Sequence, residues 1–318
     1  MTAVRDALLA GTLACAALAV PSPAAAGAAP SCVSPQGVYR AATPWPQQLF
    51  DPQRVWPLTD GSGQTVAVLG TGVDARNGQF GRSQVRRGVD LLGSGAADDD
   101  CDGRGTFAAG IVAARPASAT TFAGLAPGAR LLPIRYTQTS SNGVQGGEPN
   151  RLAAAIDTAQ AAGADVILVV VPAAHDSADL RTAVAHATAH GALVIGPVVG
   201  SQAGTRSYPA ADPGALGVAP VDEQGQAVQA EGGSQVALAA PGARLVSTAA
   251  GTASGRLGHA WGVDDAEFAA AYVAGAAALL RAYRPELAPQ QVVVRLTVTA
   301  DRAGDARNSR LGWGIVDP

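Results

Sequence analysis

RLAAAIDTAQAAG (151–163), DVILVVV (165–171), LRTAVAHATAHG (180–191) and ALVIGPV (192–198) follow one another along the chain. The first and third have helical spacing and close on Gly163 and Gly191, the residue type best suited to ending a helix. The second and fourth are unbroken branched apolar runs, as expected of strands covered on both faces. Strands alternating with helices of about 10–15 residues predict a parallel sheet with helices on either side. The pattern extends outward in both directions. Upstream lie QTVAVLG (64–70), helix-like GTFAAGIVAAR (105–115) and the strand candidate ARLLPIRY (129–136). Downstream come the shorter ALGVAP (215–220) and SQVALAA (234–240), a long helix over 266–283 and a last helix opened by Pro289. The fold class predicted is α/β: doubly wound, mostly parallel, in one domain over 61–318. Residues 31–60 are rich in Pro, Gln and Trp without a sustained period, and read as an extended arm over that domain.

Composition narrows the functional classes. Of the 318 residues, 47% are hydrophobic and 15% charged, which argues against disorder. All 22 basic residues are arginine, so Schiff-base lysines, phosphate-loop lysines and Ser–Lys dyads are excluded. A formal net charge of −3 without a basic block does not suit general nucleic-acid binding.

Residues 1–30 read as a signal peptide. Arg5 precedes the apolar run 7–20, and Pro21, Pro23 and Ala24–Ala26 supply a small-residue zone, with cleavage after Ala26 or a few residues later. Asp6 is an untypical neighbour for Arg5. Cys15 invites a lipoprotein reading, against which Thr12 stands where a large aliphatic belongs. The longest later apolar run, Phe268 to Leu280, is too short to span a bilayer and is flanked by Glu267 and Arg281. The mature chain is therefore expected to be secreted or held in the cell envelope, without a membrane span. In an oxidising compartment Cys32 and Cys101 are expected to pair, stabilising by roughly 3–5 kcal/mol. Two free thiols or a metal pair are the alternatives.

Several residues invite chemistry and fall short of it. Ser254 in GTASG (251–255) has no partner Asp–His pair, and no G-x-S-x-G elbow exists. His186 and His190 are four apart on one helix but lack the Glu of a zincin motif, and read as exposed helix histidines. His175–Asp176 and His259 read as loop residues. Asp98, Asp99, Asp100 and Asp102 read as a solvated loop in preference to a calcium site. No cofactor and no metal are expected.

Five ordered blocks carry a resemblance: TVAVLGTGVD (65–74), DCDGRGTFAAGIVAA (100–114), VIGPVVGSQ (194–202), LAAPGARLVS (238–247) and AEFAAAYVAGAAALL (266–280). Together they resemble the subtilase family of serine proteases. PWPQQLFDPQRVWPLTDGSG (44–63), Cys101 before DGRGT, FAGLAPGARLLPIR (122–135), YPAADPGALGVAPVD (208–222) and RPELAPQQVVVRLTVTA (284–300) are similar to the mycosins of type VII secretion. The resemblance implies a subtilisin-like three-layer fold. Mycosins usually continue past the point matching GWGIVDP (312–318) into a proline-rich linker and a membrane helix, and release from the membrane, retention by a partner or a truncated reading frame are the readings this leaves open.

The departures decide the functional expectation. Where the family carries its catalytic Asp, the chain has Gly70. Arg104 stands at the His position, Ser201 at the oxyanion Asn and Glu267 at the nucleophilic Ser. Val170, Val171 and Pro172 replace the substrate-pairing SLG. A guanidinium is no base near neutral pH, and a carboxylate has no hydroxyl to activate. Loss of one triad member costs about 10⁴- to 10⁶-fold in rate. Arg104 and Glu267 are predicted to form a salt bridge across the former site. The leading expectation is a pseudoprotease that binds or scaffolds, its partners being type VII secretion components or a peptide segment. The alternatives are a serine endopeptidase with an unconventional site and a decaying paralogue.

Overall fold

Six consecutive buried residues, TVAVLG, place β1 (Thr65–Gly70) at the heart of a parallel sheet. In the computed structural model, the described residues are 32–138, 147–200, 202–228, 232–301 and 306–318. The predicted signal segment and Ser201 lie outside the described residues. The remaining strands of the sheet are β2 (Val89–Asp90), β3 (Arg130–Arg135), β4 (Val166–Val169), β5 (Leu193–Pro197), β6 (Ala215–Val221) and β7 (Leu238–Pro241). Their order is β2-β3-β1-β4-β5-β6-β7, and every pairing is parallel. From β1 the chain moves to one side, through β2 and β3, and then crosses to β4 on the other. Such a reversal opens a crevice at the carboxyl ends of the strands. The register puts Leu69 level with Ile134 and Val169, so Gly70 and Val170 leave the sheet together at that crevice.

Helices cover both faces, as predicted. The helix α3 (Arg104–Ala113) packs on α6 (Ala269–Tyr283), and α4 (Pro149–Ala161) packs on α5 (Ala178–Ala189). Residues Ala269 to Leu279 of α6 are all buried. A helix apolar all round belongs in a core, and its many alanines allow close approach to the sheet. The last helix, α7 (Pro289–Thr299), packs on α6.

The N-terminal arm is less extended than its composition suggests. Two short helices interrupt it, α1 (Trp45–Phe50) and α2 (Pro52–Val55), with Asp51 between them in a left-handed conformation at φ 41°. Its tryptophans act as anchors. Trp45 Nε1 donates to Ala243 O at 3.0 Å and Trp56 Nε1 to Leu125 O at 2.9 Å, while both rings lie against the domain. The arm's start is fixed by a disulfide between Cys32 and Cys101, 69 residues apart.

A second small sheet holds the next part of the arm. The strands β8 (Leu245–Thr248) and β9 (His259–Val263) pair antiparallel, and Gly37 bridges to His259 along the free edge. His259 is no loop residue. It is fully buried, its Nδ1 accepts from Tyr39 N at 3.1 Å, and its Nε2 meets Gln79 Oε1. Burial pulls its pKa down to about 4, which matches a neutral ring with one accepting nitrogen.

Candidate functional site

The first turn of α3 is placed by glycines and one buried carboxylate. Gly103 precedes the helix at φ 92°, in the left-handed region. A Cβ on Gly105 would stand 1.8 Å from Gly72 O, so only glycine lets α3 come this close to the end of β1. Asp100 accepts from Gly103 N at 2.8 Å, Thr106 N at 2.9 Å and Thr106 Oγ1 at 2.7 Å. Within the acidic run Asp99 is exposed, as expected of a solvated loop, but Asp100 is not. Asp100 is a buried brace for the helix start, and Asp99 bonds Arg135. Burial raises the Asp100 pKa, against the bonds from Gly103 and Thr106.

Glu267 reaches the same place from the other side. It lies in a 3-10 turn, Ala266–Phe268, that leads into α6. Asp265 caps this turn, accepting from Glu267 N at 3.0 Å. Acidic residues are favoured at such a start by the exposed backbone N–H groups.

Arg104 and Glu267 are joined directly. Arg104 Nη1 donates to Glu267 Oε2 and, at 3.0 Å, to Asp265 Oδ2. Asp102 Oδ1 lies 3.7 Å from Arg104 Nε. One guanidinium therefore serves three carboxylates. The Arg104 side chain keeps 24% of its exposure and Glu267 only 3%, so the arginine caps the glutamate from the solvent side. The second oxygen, Glu267 Oε1, is buried without a hydrogen-bond partner. An ionised carboxylate there leaves a bare oxygen out of water. Burial accordingly pushes Glu267 up to about 8, although Arg104 opposes it, and Asp265 and Asp102 add to the rise. Burial pulls the Arg104 guanidinium down, but Glu267, Asp265 and Asp102 outweigh it and hold it above its usual value.

Gly70 leaves little room for a larger residue. A Cβ there would meet Val170 Cβ at 3.3 Å. The segment after β4 is also occupied. Tyr136 Oη donates to Val171 O, and Gly147 N donates to Pro172 O at 2.9 Å. Pro172 has no N–H, so this edge offers a peptide strand few free groups. Tyr136 is buried, and burial and the nearby Glu267 raise its pKa.

The structure brings Gly70, Arg104, Glu267 and Val170–Pro172 to one crevice. The other candidates lie elsewhere: Ser254 in an exposed turn, His175 exposed beyond β4, and His186 and His190 at the end of α5. Among the described residues, no group of three or more His, Cys, Asp or Glu side chains is arranged to hold a metal ion. Sequence reading missed Asp265 and Tyr136, and placed Asp102 only in an acidic loop. Asp265 carried a signal, since an acid two residues before Glu267 at a helix start is a cap pattern. Tyr136 carried none, because only the parallel pairing of β1 with β3 delivers it here.

Chemically the cluster is a closed charge network. Among the described residues it consists of one guanidinium and three carboxyl groups, and Glu267, whose pKa is raised to about 8, is covered by the arginine.

The sequence model of the Subtilase family matches residues 61–314. Mycosin-4 of Mycobacterium tuberculosis is 34% identical over 310 residues, covering 85% of this chain and 67% of that protein. Among solved structures, MycP1 from Mycobacterium smegmatis superposes with a TM-score of 0.77 at 27% identity, covering 91% of this chain and 87% of that one. A structure titled as the serine protease MycP1, an essential component of the type VII (ESX-1) secretion system, gives a TM-score of 0.77 at 28% identity, covering 91% of each chain. With a seven-stranded sheet of this order and a family match over the whole domain, the chain belongs to the subtilase family, in its mycosin-like branch.

Proposed function

We propose that this chain is an exported subtilase-fold pseudoprotease, which acts by binding or scaffolding alongside type VII secretion components. In this reading residues 1–30 are a removed signal peptide, 31–60 an arm and 61–318 the domain. Gly70, Arg104, Ser201 and Glu267 stand at the Asp, His, Asn and Ser positions of a working subtilase. One observation carries the proposal: Arg104 is bound to Glu267 and Asp265 at the mouth of the crevice. A substrate carbonyl entering there meets neither a nucleophile nor a base, and a tethered guanidinium fills the space. The likeness to mycosins, of which one is titled a component of a type VII secretion system, supports the choice of partner. The engaged carbonyls of Val171 and Pro172 favour a folded partner over a peptide strand added at that edge.

The test is a fluorophosphonate probe on the purified mature protein. No serine is expected to label, and specific labelling at any serine overturns the inactive assignment. Pull-down of the exported protein from its host tests the partner. Co-purification with envelope secretion components is expected, and their absence from the crosslinked, washed sample overturns that part.

A further inference from the structure

Two of the four histidines stand together on the outer surface, away from the crevice. His186 and His190 are one turn apart at the end of α5, and both are exposed. Their ring centroids are 4.2 Å apart with the planes inclined by 58°. Each ring has an oxygen near Nδ1, at hydrogen-bond distance for His190 and at ion-pair separation for His186. His190 Nδ1 lies 2.8 Å from His186 O, and a carbonyl only accepts, so this nitrogen carries the proton. His186 Nδ1 lies 3.6 Å from Asp157 Oδ1, which is presented by the neighbouring helix α4. The bond at His190 Nδ1 leaves Nε2 of that ring as the nitrogen with a lone pair for a ligand.

An imidazole nitrogen set beside a carbonyl or a carboxylate, as in both rings here, is the pattern around metal-bound imidazoles. The end of a helix also favours a cation, because unpaired carbonyls gather there. From this geometry we infer that His186 and His190 form a chelating site for a divalent transition metal, with Asp157 orienting His186. Two imidazoles leave positions open to water or to a ligand from another molecule. Imidazole donors suit Cu²⁺ and Zn²⁺, and at equal geometry Cu²⁺ binds more tightly. Because α5 runs back to the start of β5, the site lies at the opposite end of the sheet from Arg104 and Glu267. It is independent of any chemistry in the crevice.

The test uses tag-free mature protein titrated calorimetrically with Cu²⁺ and with Zn²⁺. A single ion per chain is expected, with Cu²⁺ the tighter. H186A and H190A should each weaken binding by about 100-fold, since each destroys the chelate. D157N should weaken it by about tenfold, as loss of an orienting carboxylate does. H175A should bind as the parent does. Circular dichroism confirms that the variants fold, which their exposed positions lead one to expect. An H186A/H190A double variant that binds like the parent overturns the site, as does no detectable heat at about 1 mM metal, far above the micromolar range of a useful affinity. An unchanged D157N overturns the role given to Asp157.

Discussion

Replacing Glu267 by Gln tests the cluster most directly. The carboxyl is buried and its pKa stands at about 8, against 4.5 in an unfolded chain. A group whose folded pKa is raised contributes stability that is fully present below the unfolded value. That stability declines as pH rises and is gone above the folded value. At about 1.4 kcal/mol per pKa unit, the decline between about pH 5 and about pH 9 is roughly 4 kcal/mol. The Gln side chain keeps the shape and an oxygen for Arg104, but it cannot ionise. The E267Q protein should therefore lose about 4 kcal/mol less than the parent across that range. Urea unfolding at half-unit pH steps, with the disulfide intact, gives both curves, and subtracting them cancels every other titrating group. Two parallel curves refute the reasoning: Glu267 would then be ionised throughout, a fully satisfied partner of Arg104.

Other perturbations bear on neighbouring residues. R104A leaves Glu267, Asp265 and Asp102 without their shared cation, and should cost about 3–5 kcal/mol at pH 9 and visibly less at pH 6, where Glu267 holds its proton; urea midpoints at the two pH values decide it. Introducing the residues that the family resemblance places at these positions, as G70D/R104H/E267S, should produce no hydrolysis of a fluorogenic peptide above buffer. The carboxylate side chain that G70D introduces starts 3.3 Å from Val170 Cβ, and this crowding should cost a further ~1–3 kcal/mol relative to R104H/E267S. His259 acts at the acid end. Its folded pKa of about 4 lies below the ordinary 6.5, so its contribution is full above 6.5 and is lost as pH falls through 4. The H259Q protein should show an acid limb flatter by about 3 kcal/mol in urea unfolding between about pH 7 and pH 3.

The sheet was legible because its strands announce themselves locally. VILV in β4 and LVIGP in β5 are unbroken buried runs, and the helix before each closes on glycine. The arm was harder. Its two short helices are set by Pro46 and Pro52 and by tryptophans reaching backbone carbonyls far along the chain, which leaves no period to read. The centre of the crevice was legible through residue types at motif positions, which is how Arg104 and Glu267 could be paired across 163 residues. What could not be read was the company they keep. That Asp102 and Asp265 share the same arginine follows from where two helix starts meet in space. The misreading of His259 has the same origin. A histidine between glycine-rich turns looks solvated until the arm folds over it and Tyr39 supplies a donor.

On the function proposed above, the close approach of α3 to β1 outlives the chemistry it would serve in a peptidase. Gly72 and Gly105 still tolerate no side chain, since a Cβ on Gly72 would stand 2.2 Å from Asp99 O. Asp100 still braces the first turn of α3, and a buried carboxylate with three donors is costly to remove. If these features existed only to position a catalytic imidazole, nothing would hold them in a chain with Arg104 at the head of α3. They are instead part of the packing of α3 on β1, β8 and α6, which Ser247 and Thr248 reinforce by bonding the carbonyls of Phe107 and Thr106 at 2.6 and 2.8 Å. The crevice is therefore a structural junction first. Arginine and glutamate fill it because two helix starts, brought together by the core, leave a gap that a guanidinium and the carboxyl groups around it can close. A chain built this way can lose hydrolysis while its outer surface keeps the shape that a partner recognises.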